Sequence, residues 1–355
     1  MSETAITNNM SKRILVLKGM FIVCVLFLHS YQSVIHLSTG DFNVSHSNFF
    51  EYIKTGLSCG IGDIGVPGFF VLSSFLFYRK ERDYKDNLRK KVKSLLLPFF
   101  VINSVWICIF GIANKISFLS IYFTTGATNI NKWDFIDWLD AYTGIVTGKP
   151  FLYPMWFVLG LFFLNCVSPL YNIFVCKFPK MSLVTFLGIW FFIPNGISPY
   201  LSISGICFWG IGCWVSIYYE KVKRRFEKVK QSIVMGTGLF LLILDICYKE
   251  GMFSLCIHRG MVLVGVMVCV ICSEKLRDKP IMDMIGKYSF GIFILHEFAM
   301  SSAQKIVVHI LPNNICFQVL SYFLLPVLVG AVAIIICKVA ERTVPKVYFF
   351  MTGGR

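Results

Sequence analysis

Two ionisable residues stand inside the first apolar run of the chain, Lys18 and His29, with ten residues between them and none of those charged. On an α-helix, eleven steps of about 100° return to nearly the same azimuth. The pair is therefore expected on one helix face, roughly 16 Å apart along the axis. Ionisable side chains within a membrane span are costly and are functional-site hypotheses by default. A cation at the cytoplasmic mouth with an imidazole deep inside suits a long donor that has an anionic head and a reactive tip, and acyl-coenzyme A is such a molecule. On this reading Lys18 meets its phosphates, and the imidazole of His29 acts as general base on an acceptor hydroxyl. The plainer alternative is a snorkelling lysine and an interfacial histidine.

Further candidates follow along the chain. Ser73 and Ser74 fall in the middle of an apolar run that opens with Gly65-Val66-Pro67-Gly68. Serines in spans mostly bond a backbone carbonyl or permit close packing, and a catalytic hydroxyl is the other reading. Asp63 precedes that run and is expected level with His29. There it either orients the imidazole or is a solvated loop carboxylate. Lys91 and Lys93 open the next apolar run from the inner side and would extend the phosphate site begun by Lys18. Late in the chain His296 and Glu297 sit side by side in an apolar run, expected on different helix faces. For His296 a structural hydrogen bond to a neighbouring span stands beside a functional role. Asp245 and the His258-Arg259 pair are expected near outer helix ends, where they pair across helices or contact a sugar.

The elements that must position these groups are set by composition. Of 355 residues, 56% are hydrophobic and only 15% charged, and the mean hydropathy is +0.69. A soluble chain carries nearer a quarter charged residues. The fold class expected is all-α, a polytopic membrane helix bundle in a single domain over 1–355. Apolar runs near 14–30, 61–78, 94–113, 151–173, 181–197, 200–219, 232–248, 255–272, 283–303 and 315–338 give about ten spans. With the N-terminus inside, inner segments hold 26 of the 34 lysines and arginines. Outer segments and outer helix ends hold 7, and Lys18 is the remaining one. That bias puts both termini in the cytoplasm. The +15 charge lies in short loops, so topology and anionic headgroups account for it better than nucleic acid does.

Most of the 13 cysteines lie within apolar runs, where a thiol behaves as a small hydrophobe. Cys269-Val-Ile-Cys272 has no histidine or second pair near it in sequence, and no metal site is expected. Two outer segments are long, near 31–60 and 114–150. The second contains Trp133 to Tyr142, with aspartates at 134, 137 and 140 against Phe135, Ile136 and Leu139. This spacing predicts a short amphipathic helix at the outer surface, an interfacial anchor or a lid.

Taken in order, these stretches resemble the acyltransferase-3 family of integral membrane O-acyltransferases. Lys18-x10-His29 is similar to the family's Arg-x10-His element, Val66 to Phe75 to its Val-Pro-x-Phe-Phe-x-x-Ser-Gly-Phe element, and Lys91 to Pro98 to its basic-Leu-Leu-x-Pro element. Pro154-Met-Trp-Phe157 with Ser168-Pro-Leu170, and Ile285 to His296, are similar to two later family spans. Met351 to Arg355 resembles an ending found in some members. Lysine stands for the family arginine at 18, which keeps the charge and loses the bidentate fork. Ser74 stands for the glycine of the family's Ser-Gly-Phe, a change expected to tighten a helix crossing.

The resemblance implies an O-acyltransferase of a bacterial inner membrane, moving an acyl group, with acetyl the first expectation, from acyl-CoA to a hydroxyl of a lipid-linked or polymeric saccharide. His29 is the expected base, and Lys18, Lys91 and Lys93 the donor contacts. Asp63, Ser73 and His296 are supporting candidates. A transporter of a glycan or lipid intermediate and a catalytically silent partner subunit are the alternatives.

Overall fold

The computed structural model describes residues 3–31, 34–37, 40–44, 47–79, 83–123, 128–194 and 202–354. The connection containing Asn195, Gly196 and Pro199, part of the basic run after Arg79, and Arg355 lie outside them.

Among the described residues the regular structure is helical but for one hairpin. In order it runs α1 (Glu3–Leu28), β1 (Val34–Leu37), β2 (Gly40–Asn43), α2 (Asn48–Lys54), α3 (Gly65–Tyr78), α4 (Tyr84–Lys91) and α5 (Leu97–Ala113). There follow α6 (Ser117–Phe123), α7 (Phe135–Thr143), α8 (Trp156–Cys166), α9 (Ser168–Lys177), α10 (Pro179–Phe192) and α11 (Ile203–Ile217). The last third holds α12 (Tyr219–Lys228), α13 (Gln231–Cys247), α14 (Ser254–Leu276), α15 (Pro280–Lys287), α16 (Ser289–Ile310), α17 (Ile315–Thr343) and α18 (Pro345–Met351). The hairpin is antiparallel, Val34 opposite Asn43 and Leu37 opposite Gly40, and lies within the first long outer segment.

The protein is a polytopic helical membrane bundle. Among the described residues, four helical runs are long and apolar enough to cross a membrane: Asn48–Tyr78, Tyr84–Ala113, Ser254–Leu276 and Ile315–Thr343. Two bent pairs, α8 with α9 at 58° and α12 with α13 at 87°, raise the number to six. The other four expected spans are carried by α1, α10, α11 and α16. Of these, α10 has 14 residues, so it rises roughly 21 Å against a hydrocarbon core of roughly 30 Å. Each of the ten apolar runs thus holds a helix, while among the described residues fewer than ten meet the length and composition of a span.

Two compact units divide the chain. The first comprises 1–28, 55–91 and 160–289. Its tightest crossings use small residues. Gly212 of α11 faces Val71 and Ser74 of α3, and the Ser74 hydroxyl donates to the Trp209 carbonyl at 2.6 Å. Gly286 of α15 lies against the Leu15 backbone of α1, and Gly19 faces Met282. Buried Val16, Phe21, Phe70, Cys207, Phe208 and Trp209 form part of its interior. At its inner end Arg13 pairs with Glu274 at 2.9 Å and Lys12 with Asp278 at 3.0 Å.

The second unit comprises 29–54, 92–159 and 290–355. Here α5, α16 and the segment before α8 share an aromatic cluster. The Phe298 ring packs at a tilt, its centroid 4.4 Å from that of Phe110, 4.7 Å from Trp106 and 5.5 Å from Phe151. Such contacts, each worth about 0.5–1.5 kcal/mol beyond area burial, fix the rotation of α16 about its axis. The expected amphipathic helix is α7. A capping box between Asp134 and Asp137 starts it, and Gly144 at φ 60° ends it. Phe135, Ile136 and Leu139 are exposed, as an interfacial face requires.

Candidate active site

Helix α1 ends at Leu28, and His29 is the first residue of the turn that follows. Within the second unit this turn meets the middle of α16. Glu297 Oε2 lies 2.8 Å from His29 Nδ1, and the His296 ring stands edge-on to the His29 ring with centroids 4.9 Å apart. Positions 296 and 297 diverge by about 100° around α16, yet both reach His29, because the turn presents its imidazole between them. The ligating atoms of His29, His296 and Glu297 all lie within 4.8 Å of one another.

Burial is graded across the group. His296 is fully buried, while the side chains of His29 and Glu297 keep 14% and 23% of their exposure. His296 Nδ1 is 2.8 Å from the Phe293 carbonyl, which can only accept, so Nδ1 carries the proton and Nε2 the lone pair. That bond is within its own helix, where the sequence suggested a neighbouring span. Among the described residues Nε2 makes no hydrogen bond.

The remaining wall comes from the outer segment before α8. The Tyr153 ring packs edge-on against His29 at 5.6 Å, and the Lys149 ammonium lies 5.2 Å over the Tyr153 ring. This segment is built by Asp140, a buried carboxylate at the end of α7. It accepts the N–H groups of Val146 at 2.6 Å and Thr147 at 3.2 Å, and the Thr147 hydroxyl at 2.6 Å. Neither Tyr153 nor Lys149 carries a sequence signal of its own.

On the other side of the turn is a small cavity of about 40 Å³ with a mixed lining, polar at Lys54, Gln304 and Gln318 and apolar at Ile35, Val44 and Leu325. Gln304 Nε2 donates weakly to the carbonyls of His29 and Ser30, at 3.5 and 3.4 Å. Lys54 is paired with Glu51 and lies over the Tyr31 ring at 4.9 Å. A space of this size suits water rather than a sugar ring.

The other sequence candidates fall elsewhere. Lys18 is half-buried in α1, and Lys91 ends α4 with its ammonium 5.6 Å over Phe77. Both belong to the first unit, whereas exposed Lys93 belongs to the second. Ser73 is half-buried on α3 beside Ser74. Asp63 faces His258, with 3.4 Å between its Oδ2 and Nε2, and the carboxylate at His29 is Glu297. His258 also meets Asp245 across α13 and α14 at 3.1 Å, one of the two readings open for that pair. The neighbouring Arg259 is buried under the Trp190 ring at 5.1 Å.

A carboxylate, two imidazoles and a tyrosine ring gathered at one partly exposed turn are a constellation for moving a proton to or from a bound hydroxyl. Comparison with known proteins agrees with acyl chemistry. The acyltransferase-3 family model, described as an acyltransferase domain, matches residues 12–342. The chain is 23% identical over 368 residues to the succinoglycan biosynthesis protein ExoH of Rhizobium meliloti (strain 1021), an alignment covering 98% of this chain and 93% of that protein. No solved structure matches.

Proposed function

The chain belongs to the acyltransferase-3 family, and from that premise we propose that it moves an acyl group, acetyl in the first instance, from acyl-CoA to a hydroxyl of a cell-surface or lipid-linked saccharide, with His29 as general base. The observation that carries this reading is the 2.8 Å contact between Glu297 and His29 Nδ1. A carboxylate there holds the proton on Nδ1 and leaves the lone pair on Nε2. It also stabilises the imidazolium that forms when His29 takes a proton. The acceptor oxygen attacks the thioester carbonyl as its proton passes to Nε2. Collapse expels the coenzyme A thiolate, which receives that proton, and ester and free thiol result.

Lys18, Lys91 and Lys93 are the cations we assign to the donor phosphates, each a point charge without the geometric demand of an arginine fork. Support for a saccharide acceptor comes from the relative named for succinoglycan biosynthesis. The basic inner segments fit a bacterial inner membrane with both termini cytoplasmic. Asp63, Ser73 and His296 take no proton from the acceptor in this scheme.

The test is His29→Ala in membranes where the variant is inserted at wild-type level. Release of free coenzyme A thiol and acylation of the surface glycan should both fall by about 10²-fold or more. Full acylation by the variant would end the assignment. Loss of glycan export with acylation of the remaining glycan unchanged would favour transport instead.

A further inference from the structure

Two acceptor groups converge on His29, whose single N–H faces only Glu297. His296 Nε2 is a fully buried lone pair without a hydrogen bond among the described residues, and the Glu297 carboxylate lies beside it. Buried acceptors are costly when left unmatched, and a cation satisfies several at once. Two imidazoles and one carboxylate, with ligating atoms within 4.8 Å of one another, are a ligand set for zinc. They leave a fourth position open toward the exposed side of His29 and Glu297. The Nδ1–H of His296 donates to the Phe293 carbonyl, the outer contact that holds metal-binding histidines in their tautomer. Lys149, over Tyr153 at the rim, opposes a second cation and weakens the site relative to a structural zinc centre.

We infer that His29, His296 and Glu297 form a zinc-binding site, and that zinc bound there inhibits the acyltransferase. The inhibitory half rests on the reading of His29 as the base. A neutral imidazole has one lone pair. Once that pair is given to a metal, the other nitrogen carries a proton and cannot accept one from the acceptor hydroxyl. Zinc binding and general-base catalysis at His29 therefore exclude each other, and free zinc acts as a competitive brake.

The experiment uses the full chain in detergent, metal-stripped and then titrated with zinc chloride, with bound metal and acyl-CoA turnover measured separately. The wild type should retain one zinc per chain and lose activity in step with occupancy, and a chelator should restore it. Glu297→Gln, which keeps the side chain's volume, and His296→Asn should each weaken zinc binding at least tenfold. His258→Asn, which removes the separate cluster with Asp245 and Asp63, should leave binding and inhibition as they are. No zinc retained by the wild type overturns the inference and leaves His29 as base untouched. Zinc bound at these residues with activity unchanged or raised overturns the inhibition and the base assignment together. Binding lost in His258→Asn puts the metal elsewhere and overturns the site.

Discussion

Asn103, in the middle of α5 and fully buried, accepts the backbone N–H of Leu152 at 3.0 Å while its own amide donates to the Phe99 carbonyl at 2.9 Å. The residue after Leu152 is Tyr153, whose ring lies against His29. One buried amide thus ties the outer segment to α5 and sets the wall of the candidate site. Asn103→Leu leaves the Leu152 N–H without a partner, at a cost of about 1–3 kcal/mol. We expect a lower melting temperature and a raised KM for the acceptor, read from unfolding and from turnover in detergent. Unchanged KM would separate Asn103 from the site.

Glu297→Gln tests the tautomer directly. A carboxamide can present its NH2 to His29 Nδ1, which moves the imidazole proton to Nε2 and removes the lone pair the acceptor needs. The expected result is a fall in kcat of about 10²-fold to 10⁴-fold, with little change in KM. Glu297→Asp, which keeps the charge on a shorter arm, should lose less. Equal loss in both would point to packing rather than to orientation of His29.

The family and the helical class are legible in the sequence, and two of the histidines it offers as candidates, 29 and 296, stand with their rings 4.9 Å apart. Glu297 is not legible there as their partner. A helical wheel separates it from His296, and only the arrival of a turn nearly 270 residues away in the chain makes the two converge. For the same reason Asp63 is drawn level with His29 by topology alone, when its partner is His258, on a helix far along the chain. The pairing of β1 with β2 and the cap that Asp140 builds for the loop after α7 are tertiary arrangements inside segments that read as polar loop. The span count suffers differently. Hydropathy finds the ten apolar runs, but their lengths as helices depend on bends and caps, as at the break between α8 and α9.

At the inner end of the first unit, Asp278 accepts from Lys12 at 3.0 Å and from Arg277 at 3.3 Å, and these bonds hold its carboxyl below the usual carboxylate range. A lowered value in the fold means a stabilising contribution present above the ordinary carboxylate range and lost as pH falls through the folded value. Because Asp278 is exposed, the contribution is small. Asp278→Asn should lower the melting temperature slightly at neutral pH, and the gap to wild type should close in acid. A gap that widens below pH 4 would contradict this.

The crossing of α3 and α11 gives the sharpest packing test. Where the family pattern has glycine, this chain has Ser74, and the close approach is kept by Gly212 on the opposite helix. A Cβ at 212 would stand 2.5 Å from the Val71 carbonyl oxygen and 2.8 Å from Ser74 Cβ. Gly212→Ala must therefore push the helices apart, at about 1–3 kcal/mol, and disturb the Ser74 hydroxyl on the Trp209 carbonyl. Ser74→Gly in the same chain removes one of the two obstructions but not the Val71 oxygen. The double variant should recover part of the loss in melting temperature, never all of it. Full recovery would mean that the Val71 backbone yields freely. No recovery would mean that Ser74 contributes its hydrogen bond and no steric limit, so that the glycine of the family pattern and Gly212 do not stand in for one another.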